Sequence, residues 1–249
     1  MAAETWVILG GSSAVARAFA HDVAAGGANV VLAGRDTADL ERTAGDIAVR
    51  YGTNAAVLAF DATAYDSHAA FADAAMAKQR DGSTVNLFLA FARMPEQTAI
   101  EADPLGAREC IDATFTGATS VLLHLLPHFE RQRGGAIIVL GSVAGDRGRR
   151  RNYVYGAAKA GLHTFLQGFR QHLHKSGVLV VSVKPGFVDT AMTWGQPGLF
   201  LVAEPGAVSA AALKAVERKR QVIYVPGFWR LLMLIIRAIP EGLFKRLSF

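Results

Sequence analysis

Three side chains in the middle of the sequence could carry out proton transfer together. Ser142 is followed thirteen residues later by Tyr155, and Lys159 comes four residues after the tyrosine, so that the last two share one face of a predicted helix. A phenol with a pKa of about 10 exchanges protons poorly at neutral pH, and a neighbouring ammonium lowers that pKa. Ser142 could hold a substrate oxygen while Tyr155 exchanges a proton with it. The spacing of tyrosine and lysine is also met by solvent-facing helical pairs.

A glycine-containing loop near the start of the sequence could bind phosphate. Residues 9–16 read Leu-Gly-Gly-Ser-Ser-Ala-Val-Ala, between an apolar run and a helical pattern. Free backbone N–H groups and a helix N-terminus together favour an anion such as a pyrophosphate. The simpler interpretation is a tight strand-to-helix turn, since Ala14 and Ala16 stand where further glycines are expected.

The elements that must position these residues alternate along the chain. Short apolar runs predict strands buried on both faces, and longer segments with apolar residues every three or four positions predict helices. The alternation predicts an α/β fold with a doubly wound parallel sheet of about seven strands. We expect a single domain over residues 1–227 and a C-terminal extension over 228–249. The predicted strands are 5–9, 28–33, 55–59, 85–90, 136–140, 178–183 and 221–225, and the predicted helices are 15–25, 39–51, 111–129, 152–175 and 205–218.

Composition and charge exclude several classes of protein. With 51% apolar and 19% charged residues the chain is not disordered, and a single cysteine, Cys110, excludes a disulfide scaffold or a cysteine-based zinc site. Residues 1–125 carry 8 basic and 15 acidic side chains, net −7, and residues 126–249 carry 18 and 6, net +12. This asymmetry suggests that an anionic partner meets the C-terminal half. Nucleic acid is poorly supported, because the basic residues lack an aromatic stacking series.

The sequence predicts no membrane span, targeting peptide or metal centre. The longest run without Lys, Arg, Asp or Glu covers residues 113–129, 17 positions, and a span needs roughly 20 apolar residues. Glu4 stands where a secretory signal carries a basic residue. His124 and His128 are four residues apart, but no carboxylate accompanies them at ligand spacing. We expect a cytoplasmic protein without a metal ion.

Taken together, these loops resemble the short-chain dehydrogenase/reductase family over nearly the whole chain. The T-G-x-x-x-G-x-G loop of the family aligns on residues 9–16, its serine and Tyr-x-x-x-Lys on Ser142, Tyr155 and Lys159, and its P-G-x-x-x-T motif on residues 185–190. The resemblance implies a Rossmann-like fold, a nicotinamide dinucleotide, and hydride transfer to or from a carbonyl carbon. It also implies a homodimer or homotetramer built partly through the helix that carries Tyr155.

The resemblance assigns a role to each motif. Tyr155 is the general acid in reduction, Ser142 holds the carbonyl oxygen, and Lys159 lowers the pKa of Tyr155 and binds the nicotinamide ribose. Val188 and Thr190 position the carboxamide, and Asp61 contacts the adenine. The cofactor-binding residues expected in this way are Gly10, Ser12, Ser13, Val15, Arg35, Asp61, Ala62, Ala90, Tyr155, Lys159, Pro185, Gly186, Val188 and Thr190.

The sequence departs from the family pattern at three places. Ala14 and Ala16 replace two glycines, and Leu-Ala-Phe-Ala at residues 89–92 replaces the family's Asn-Asn-Ala-Gly. Thr114, three residues before Gly117, stands where the family has an asparagine that kinks a helix and holds a water relaying protons to the lysine. Thr114 is therefore a fourth candidate catalytic residue, with an ordinary helical threonine bonded to a backbone carbonyl as the alternative.

The end of the second predicted strand bears on the choice of dinucleotide. An acidic residue there would bind the adenosine 2′-hydroxyl, whereas Arg35 offers a planar cation for a 2′-phosphate. Arg17 could assist it. Asp36 argues for NAD, although we expect it to cap the following helix. The sequence therefore favours NADP(H) over NAD(H).

Four arginines lie between Ser142 and Tyr155 and could bind a substrate phosphate through paired hydrogen bonds. An equally simple interpretation is a solvated loop or a subunit contact. The four residues are Arg147, Arg149, Arg150 and Arg151.

The C-terminal extension is apolar and basic. Residues 228–239 contain only two charges, Arg230 and Arg237, seven positions apart on one helix face, and Lys245 and Arg246 follow after Pro240. Such a segment is typical of a helix that lies in a membrane interface. Alternatively, it covers the domain or forms a dimer contact.

The motifs around residues 148–159 and 225–247 resemble one branch of the family, the decaprenylphosphoryl-2-keto-erythropentose reductases. That resemblance implies NADPH-dependent reduction of a ketone on a polyprenyl-phosphate-linked sugar, at the inner face of the plasma membrane. A reductase of a soluble ketone or acyl thioester is the first alternative. A non-catalytic dinucleotide-binding sensor or scaffold is the second, prompted by the replaced glycines and asparagine.

Overall fold

A computed structural model describes residues 4–80, 82–195 and 200–247 of the chain. Seven parallel strands form one sheet in the order β3-β2-β1-β4-β5-β6-β7. Helices cover both faces of the sheet, which confirms the predicted Rossmann-like doubly wound fold. The strands are β1 (Glu4–Leu9), β2 (Asn29–Gly34), β3 (Ala55–Ala59), β4 (Thr84–Leu89), β5 (Ala136–Leu140), β6 (Leu179–Pro185) and β7 (Val222–Val225).

Ten α-helices occur in the described ranges, and two of them are shorter than seven residues. They are α1 (Ala14–Ala25), α2 (Thr37–Tyr51), α3 (His68–Met76), α4 (Gln97–Ala102), α5 (Leu105–Ile111), α6 (Gly117–Gln132), α7 (Tyr153–Leu173), α8 (Pro205–Glu217), α9 (Trp229–Ala238) and α10 (Glu241–Phe244).

The five inner strands, β1, β2, β4, β5 and β6, bury side chains on both faces, as their continuous apolar sequences predict, whereas the edge strands β3 and β7 are only partly buried. In β1, Trp6 and Ile8 point into the core under α1, α2 and α8, whereas Val7 and Leu9 point into the core under α3, α6 and α7. Successive side chains of a strand lie on opposite faces, so one apolar run supplies both cores. The sheet is thereby held rigid between two layers of helices.

The predicted helix over residues 111–129 is wrong in its boundaries. The chain forms α5, then a π-helical turn at Asp112–Thr116, then α6. A π-helical turn inserts one residue into the helical register, and such turns are frequent at functional sites. Two further helices, α3 and α4, were not predicted, because α3 is rich in alanine and α4 is only six residues long.

The C-terminal segment, residues 228–247, packs on the domain with one side only. Trp229 and Met233 of α9 are buried against Val143. Leu231 and Leu234 on the opposite side are each 64% exposed. Within the described ranges, no helix has the length and apolar character needed to cross a membrane.

Candidate active site

A cavity of about 500 Å³ lies at the carboxyl ends of β1, β4, β5 and β6. Loops at this edge of a parallel sheet are the expected ligand site. Most of the predicted residues meet there although they come from five separate stretches of sequence. The predicted site residues that line the cavity are Ser12, Ser13, Val15, Ala90, Ser142, Arg149, Tyr155, Lys159, Pro185, Gly186, Val188 and Thr190.

The loop between β1 and α1 has the backbone of a phosphate cradle. Gly10 adopts a φ of +77°, and a Cβ at this position would lie 2.9 Å from the backbone nitrogen of Phe91. Only glycine fits that turn. Ser13 caps α1 by accepting a hydrogen bond from the Ala16 N–H at 3.2 Å. The loop therefore presents a capped helix N-terminus to the cavity, which fits a dinucleotide pyrophosphate. Gly10 itself shapes the turn and does not line the cavity.

Ser142 and Tyr155 line the cavity next to each other. Ser142 follows β5, and its hydroxyl oxygen accepts the N–H of Ala144 at 3.1 Å, which fixes the side chain. Tyr155 is only 7% exposed, in the first turns of α7. Burial raises the pKa of Tyr155 well above its usual value, and the adjacent Ser142 hydroxyl opposes this shift. A phenol in this state keeps its proton across the neutral range.

Lys159 is buried in the same cavity as Tyr155, and the expectation that it lowers the pKa of the tyrosine stays a prediction. The Lys159 Nζ donates a hydrogen bond to the carbonyl of Leu140 at 2.7 Å and lies 5.8 Å from the centre of the tyrosine ring. Its own pKa is lowered to about 8 by burial. Burial pushes both the phenol and the ammonium toward their neutral forms.

Thr114 does not line the cavity. It is fully buried in the π-helical turn, and its hydroxyl accepts the N–H of Arg93 at 3.0 Å and donates to the carbonyl of Arg93 at 3.1 Å. It therefore bonds a backbone carbonyl, but one in the loop after β4 and not in its own helix. The structure gives Thr114 a role in fixing that loop, and its part in a proton relay stays a prediction.

Residues around the expected adenine end lie outside the cavity. Asp61 accepts hydrogen bonds from the backbone and hydroxyl of Thr63, each at 2.8 Å, and the backbone bond lowers the pKa of its carboxyl. The carbonyl of Ala62 lies against α6, where a Cβ on Gly117 would be 2.0 Å from it. The adenine contact assigned to Asp61 stays a prediction.

Arg35 is exposed directly after β2. Its side chain forms no hydrogen bond or salt bridge in the ranges that the structure describes, and its charge helps to lower the pKa of Asp61. Asp36 caps α2 by accepting the N–H of Asp39 at 3.0 Å, as predicted. Arg17 lines the cavity but is paired with Asp39. The loop after β2 therefore offers one exposed cation and a carboxylate that is engaged in capping.

The four arginines of the loop over residues 142–152, called here the catalytic loop, separate in the structure. Arg147 points away from the cavity and donates to Glu241 at 2.6 Å, while its guanidinium lies 4.2 Å from the centre of the Phe244 ring. Arg150 and Arg151 are exposed and do not line the cavity. Arg149 alone of the four lines it.

A buried polar network behind the catalytic loop was not predicted. Asp146 accepts a hydrogen bond from Lys184 at 2.6 Å and another from Tyr224 at 2.7 Å. His163 Nδ1 lies 3.5 Å from the same carboxylate, and its Nε2 accepts the N–H of Ser142 at 3.4 Å. These bonds hold the pKa of Asp146 far below its usual value although burial opposes them. The network positions Ser142 through the bond from its N–H to His163. In the sequence, the one sign of this network was an acidic residue, Asp146, in a loop that is otherwise basic.

The fold and the cavity define a dinucleotide-dependent oxidoreductase built on a Rossmann-like sheet. The chain belongs to the short chain dehydrogenase family, whose model matches residues 4–197. It is therefore an NAD(P)-dependent oxidoreductase. The finding confirms the family resemblance predicted from the motifs.

Relatives of similar length support this assignment. The chain is 35% identical over 244 residues to an uncharacterized oxidoreductase in the mprA 5′ region of Streptomyces coelicolor, covering 97% of this chain and 94% of the relative. It is 34% identical over 247 residues to an uncharacterized oxidoreductase of Mycobacterium tuberculosis, with coverages of 97% and 96%. A solved short-chain dehydrogenase from Sphingobium yanoikuyae in complex with NADPH is 25% identical, with a TM-score of 0.76 over 96% of this chain and 97% of that one.

Proposed function

We propose that the chain is an NADPH-dependent reductase that transfers hydride to a ketone carbon. The observation that carries this proposal is the convergence of Ser142, Tyr155 and Lys159 with the capped glycine loop in one cavity. The bound dinucleotide supplies the hydride. The chain's own residues must then orient the ketone and provide one proton.

The protonation state of Tyr155 suits the reduction of a ketone. A substrate oxygen that gains negative charge as hydride arrives needs a proton donor within hydrogen-bond reach. The raised pKa of Tyr155 keeps the phenol protonated, which suits donation. Ser142, fixed by its bond from Ala144, can donate a second hydrogen bond to the same oxygen. Lys159 would bind hydroxyls of the nicotinamide ribose through its remaining N–H groups.

Preference for NADPH is supported by the loop after β2. Arg35 is an exposed cation without a hydrogen bond or salt bridge among the described residues, and Asp36 is engaged in capping α2. A guanidinium can bind a phosphate through two parallel hydrogen bonds. The NADPH complex of the Sphingobium relative agrees with this preference. We expect Arg35→Ser to weaken NADPH binding about 10- to 100-fold, with little change for NADH.

The test of the reductase uses two tyrosines in the same helix. Tyr155→Phe should lower kcat for any accepted ketone by about 100- to 10,000-fold while NADPH still binds, as measured by cofactor fluorescence. Tyr153→Phe is the matched control, because Tyr153 is 45% exposed and its hydroxyl bonds Glu101 on the surface. Unchanged turnover in Tyr155→Phe would contradict the proposed chemistry. NADPH binding without reduction of any ketone would favour the sensor or scaffold alternative.

We also propose that the C-terminal segment binds an anionic membrane surface and that the ketone is carried on a lipid, as in a polyprenyl-phosphate-linked keto sugar. The support is the outer side of α9, where Leu231, Leu234 and Ile235 are between 56% and 64% exposed. Arg230 and Arg237 are exposed along one edge of that side. An apolar face bordered by cations is typical of interfacial helices.

Truncation is a poor test of this second proposal, because Trp229 and Met233 of the same helix are buried beside the catalytic loop. The double variant Leu231→Ser, Leu234→Ser changes only exposed side chains. We expect the unmodified protein, and not the variant, to sediment with vesicles of phosphatidylglycerol and phosphatidylcholine. The lipid proposal would be contradicted if the unmodified protein stays in solution with the vesicles and reduces soluble ketones as well as the double variant does. A concentration-dependent dimer that the variant abolishes would instead identify this face as a subunit contact.

A further inference from the structure

One cation in the active-site cavity has a buried nitrogen without a hydrogen-bond partner among the described residues. Among the described residues that line the cavity, the charged ones are Arg17, Arg149 and Lys159, and all three are positive. Arg17 is paired with Asp39, and Lys159 donates to the carbonyl of Leu140. Arg149 differs from both, because its buried Nε atom has no hydrogen-bond partner in the described part of the chain.

A guanidinium nitrogen that is buried without a hydrogen-bond partner is unfavourable, since the N–H loses hydration and the guanidinium keeps its charge. Burial lowers the pKa of Arg149, and the charge of Asp146 opposes that shift. Asp146, however, already accepts hydrogen bonds from Lys184 and Tyr224. Arg149 is therefore a partly buried cation at the active site, and the carboxylate that acts on it, Asp146, is already bonded to two other groups. A ligand that brings the counter-charge would remove this cost.

The position of Arg149 indicates which ligand it meets. Arg149 belongs to the catalytic loop, which also supplies Ser142 and Asn152 to the cavity wall, and Tyr155 follows six residues later. Ser142 and Tyr155 are the proposed contacts of the substrate carbonyl. The dinucleotide phosphates are expected at residues 12–13, in the loop after a different strand. Arg149 is thus placed on the substrate side of the cavity.

We propose that Arg149 binds an anionic oxygen group, a phosphate or a carboxylate, on the ketone substrate. This inference rests on the proposed ketone reduction and defines its substrate class as ketones that carry such a group. A planar guanidinium can give two parallel hydrogen bonds to either anion. Phe91, Met94 and Val143 on the cavity wall offer apolar contacts for the carbon skeleton.

The experiment compares charged ketones with neutral partners of similar size. Dihydroxyacetone phosphate is paired with dihydroxyacetone, and levulinate is paired with methyl levulinate. In Arg149→Met we expect KM for the charged ketone that the enzyme prefers to rise about 10- to 100-fold, with less than about a threefold change for its neutral partner. Arg150→Met is the matched control, because it removes the same charge from an exposed position of the same loop. Arg149→Lys should recover part of the affinity.

A binding measurement separates this inference from the proposed reaction. Phenyl phosphate and benzoate are titrated by calorimetry into protein saturated with NADP⁺, so that the cofactor phosphate site is filled. Binding that Arg149→Met abolishes, in a protein that reduces no ketone, would support the anion site and refute the proposed reaction. Equal losses for charged and neutral ketones, or equal effects of Arg149→Met and Arg150→Met, would overturn the anion site. The compound that binds, phenyl phosphate or benzoate, identifies the group on the substrate as a phosphate or a carboxylate.

Discussion

The network around Asp146 allows a quantitative test of how the catalytic loop is held. The Asp146 side chain is 3% exposed and Lys184 is 13% exposed, with 2.6 Å between their charged atoms. Asp146→Asn keeps the shape of the side chain but removes its charge, which leaves a nearly buried ammonium without a counter-charge. The amide can accept only part of the hydrogen bonds that Lys184 and Tyr224 now donate.

The expected loss of stability is large. Removing one partner of a buried ion pair costs about 3–5 kcal/mol, because the remaining charge stays desolvated. A domain of ordinary stability has only about 5–15 kcal/mol in total. Urea unfolding at pH 7, followed by circular dichroism, should therefore move to a clearly lower midpoint. Asp66→Asn is the control, since Asp66 is exposed and should change stability by less than about 0.5 kcal/mol.

Two further measurements can refute this reasoning. In Asp146→Asn, Lys184→Met the lone ammonium is gone, so we expect the double variant to be more stable than Asp146→Asn alone. The pKa of Asp146 is depressed, so its stabilising effect is present above its unfolded pKa of about 3.9 and is lost as the pH falls further. A loss below about 1 kcal/mol at pH 7, or strict additivity of the two substitutions, would show that the pair is not the main contact that holds the loop.

Three other outcomes are expected. In Gly186→Ala the new Cβ would lie 1.9 Å from Trp229 Nε1, so tryptophan fluorescence should shift and stability should fall by about 1–3 kcal/mol; unchanged spectra and midpoint would contradict the packing. Gly10→Ala should weaken NADPH binding at least about tenfold, because of the positive φ and the contact with Phe91, and an unchanged dissociation constant would contradict the cradle. The pKa of Lys159 is lowered to about 8 in the folded protein, so above that pH this lysine binds more protons in the unfolded chain than in the folded one. Stability should therefore rise between pH 8 and about 10 in the unmodified protein and not in Lys159→Met, as compared by urea midpoints. Equal pH profiles of the two proteins would contradict the lowered pKa.

The sheet and most of the cavity could be predicted from local sequence. Continuous apolar runs such as residues 136–140 predict strands that are buried on both faces of a sheet. All seven predicted strands agree with the observed strands within two residues at each end. Once the strands are parallel, their carboxyl ends must share an edge. Ser142 and Tyr155 then meet in the cavity although thirteen residues separate them.

The remaining features depend on contacts between distant positions, which no local pattern encodes. Arg147 pairs with Glu241, and Asp146 pairs with Lys184 and Tyr224, in each case across tens of residues. The raised pKa of Tyr155 could not be predicted either, because it results from burial by surrounding elements and not from the spacing to a lysine. Whether the C-terminal segment covers the domain or meets a surface also had no single answer in the sequence, since α9 has a buried side and an exposed side.

Arg147 connects the catalytic loop to the C-terminal segment through Glu241 and Phe244. A surface that binds α9 or α10 and shifts that segment would therefore change the free energy of the loop that carries Ser142. Thermodynamic linkage is reciprocal, so a ligand that orders the loop must change the affinity of the segment for the surface by the same factor. If the C-terminal segment binds vesicles as proposed, retention of the protein on them would then depend on whether its cavity is filled, and substrate itself would regulate where the protein resides.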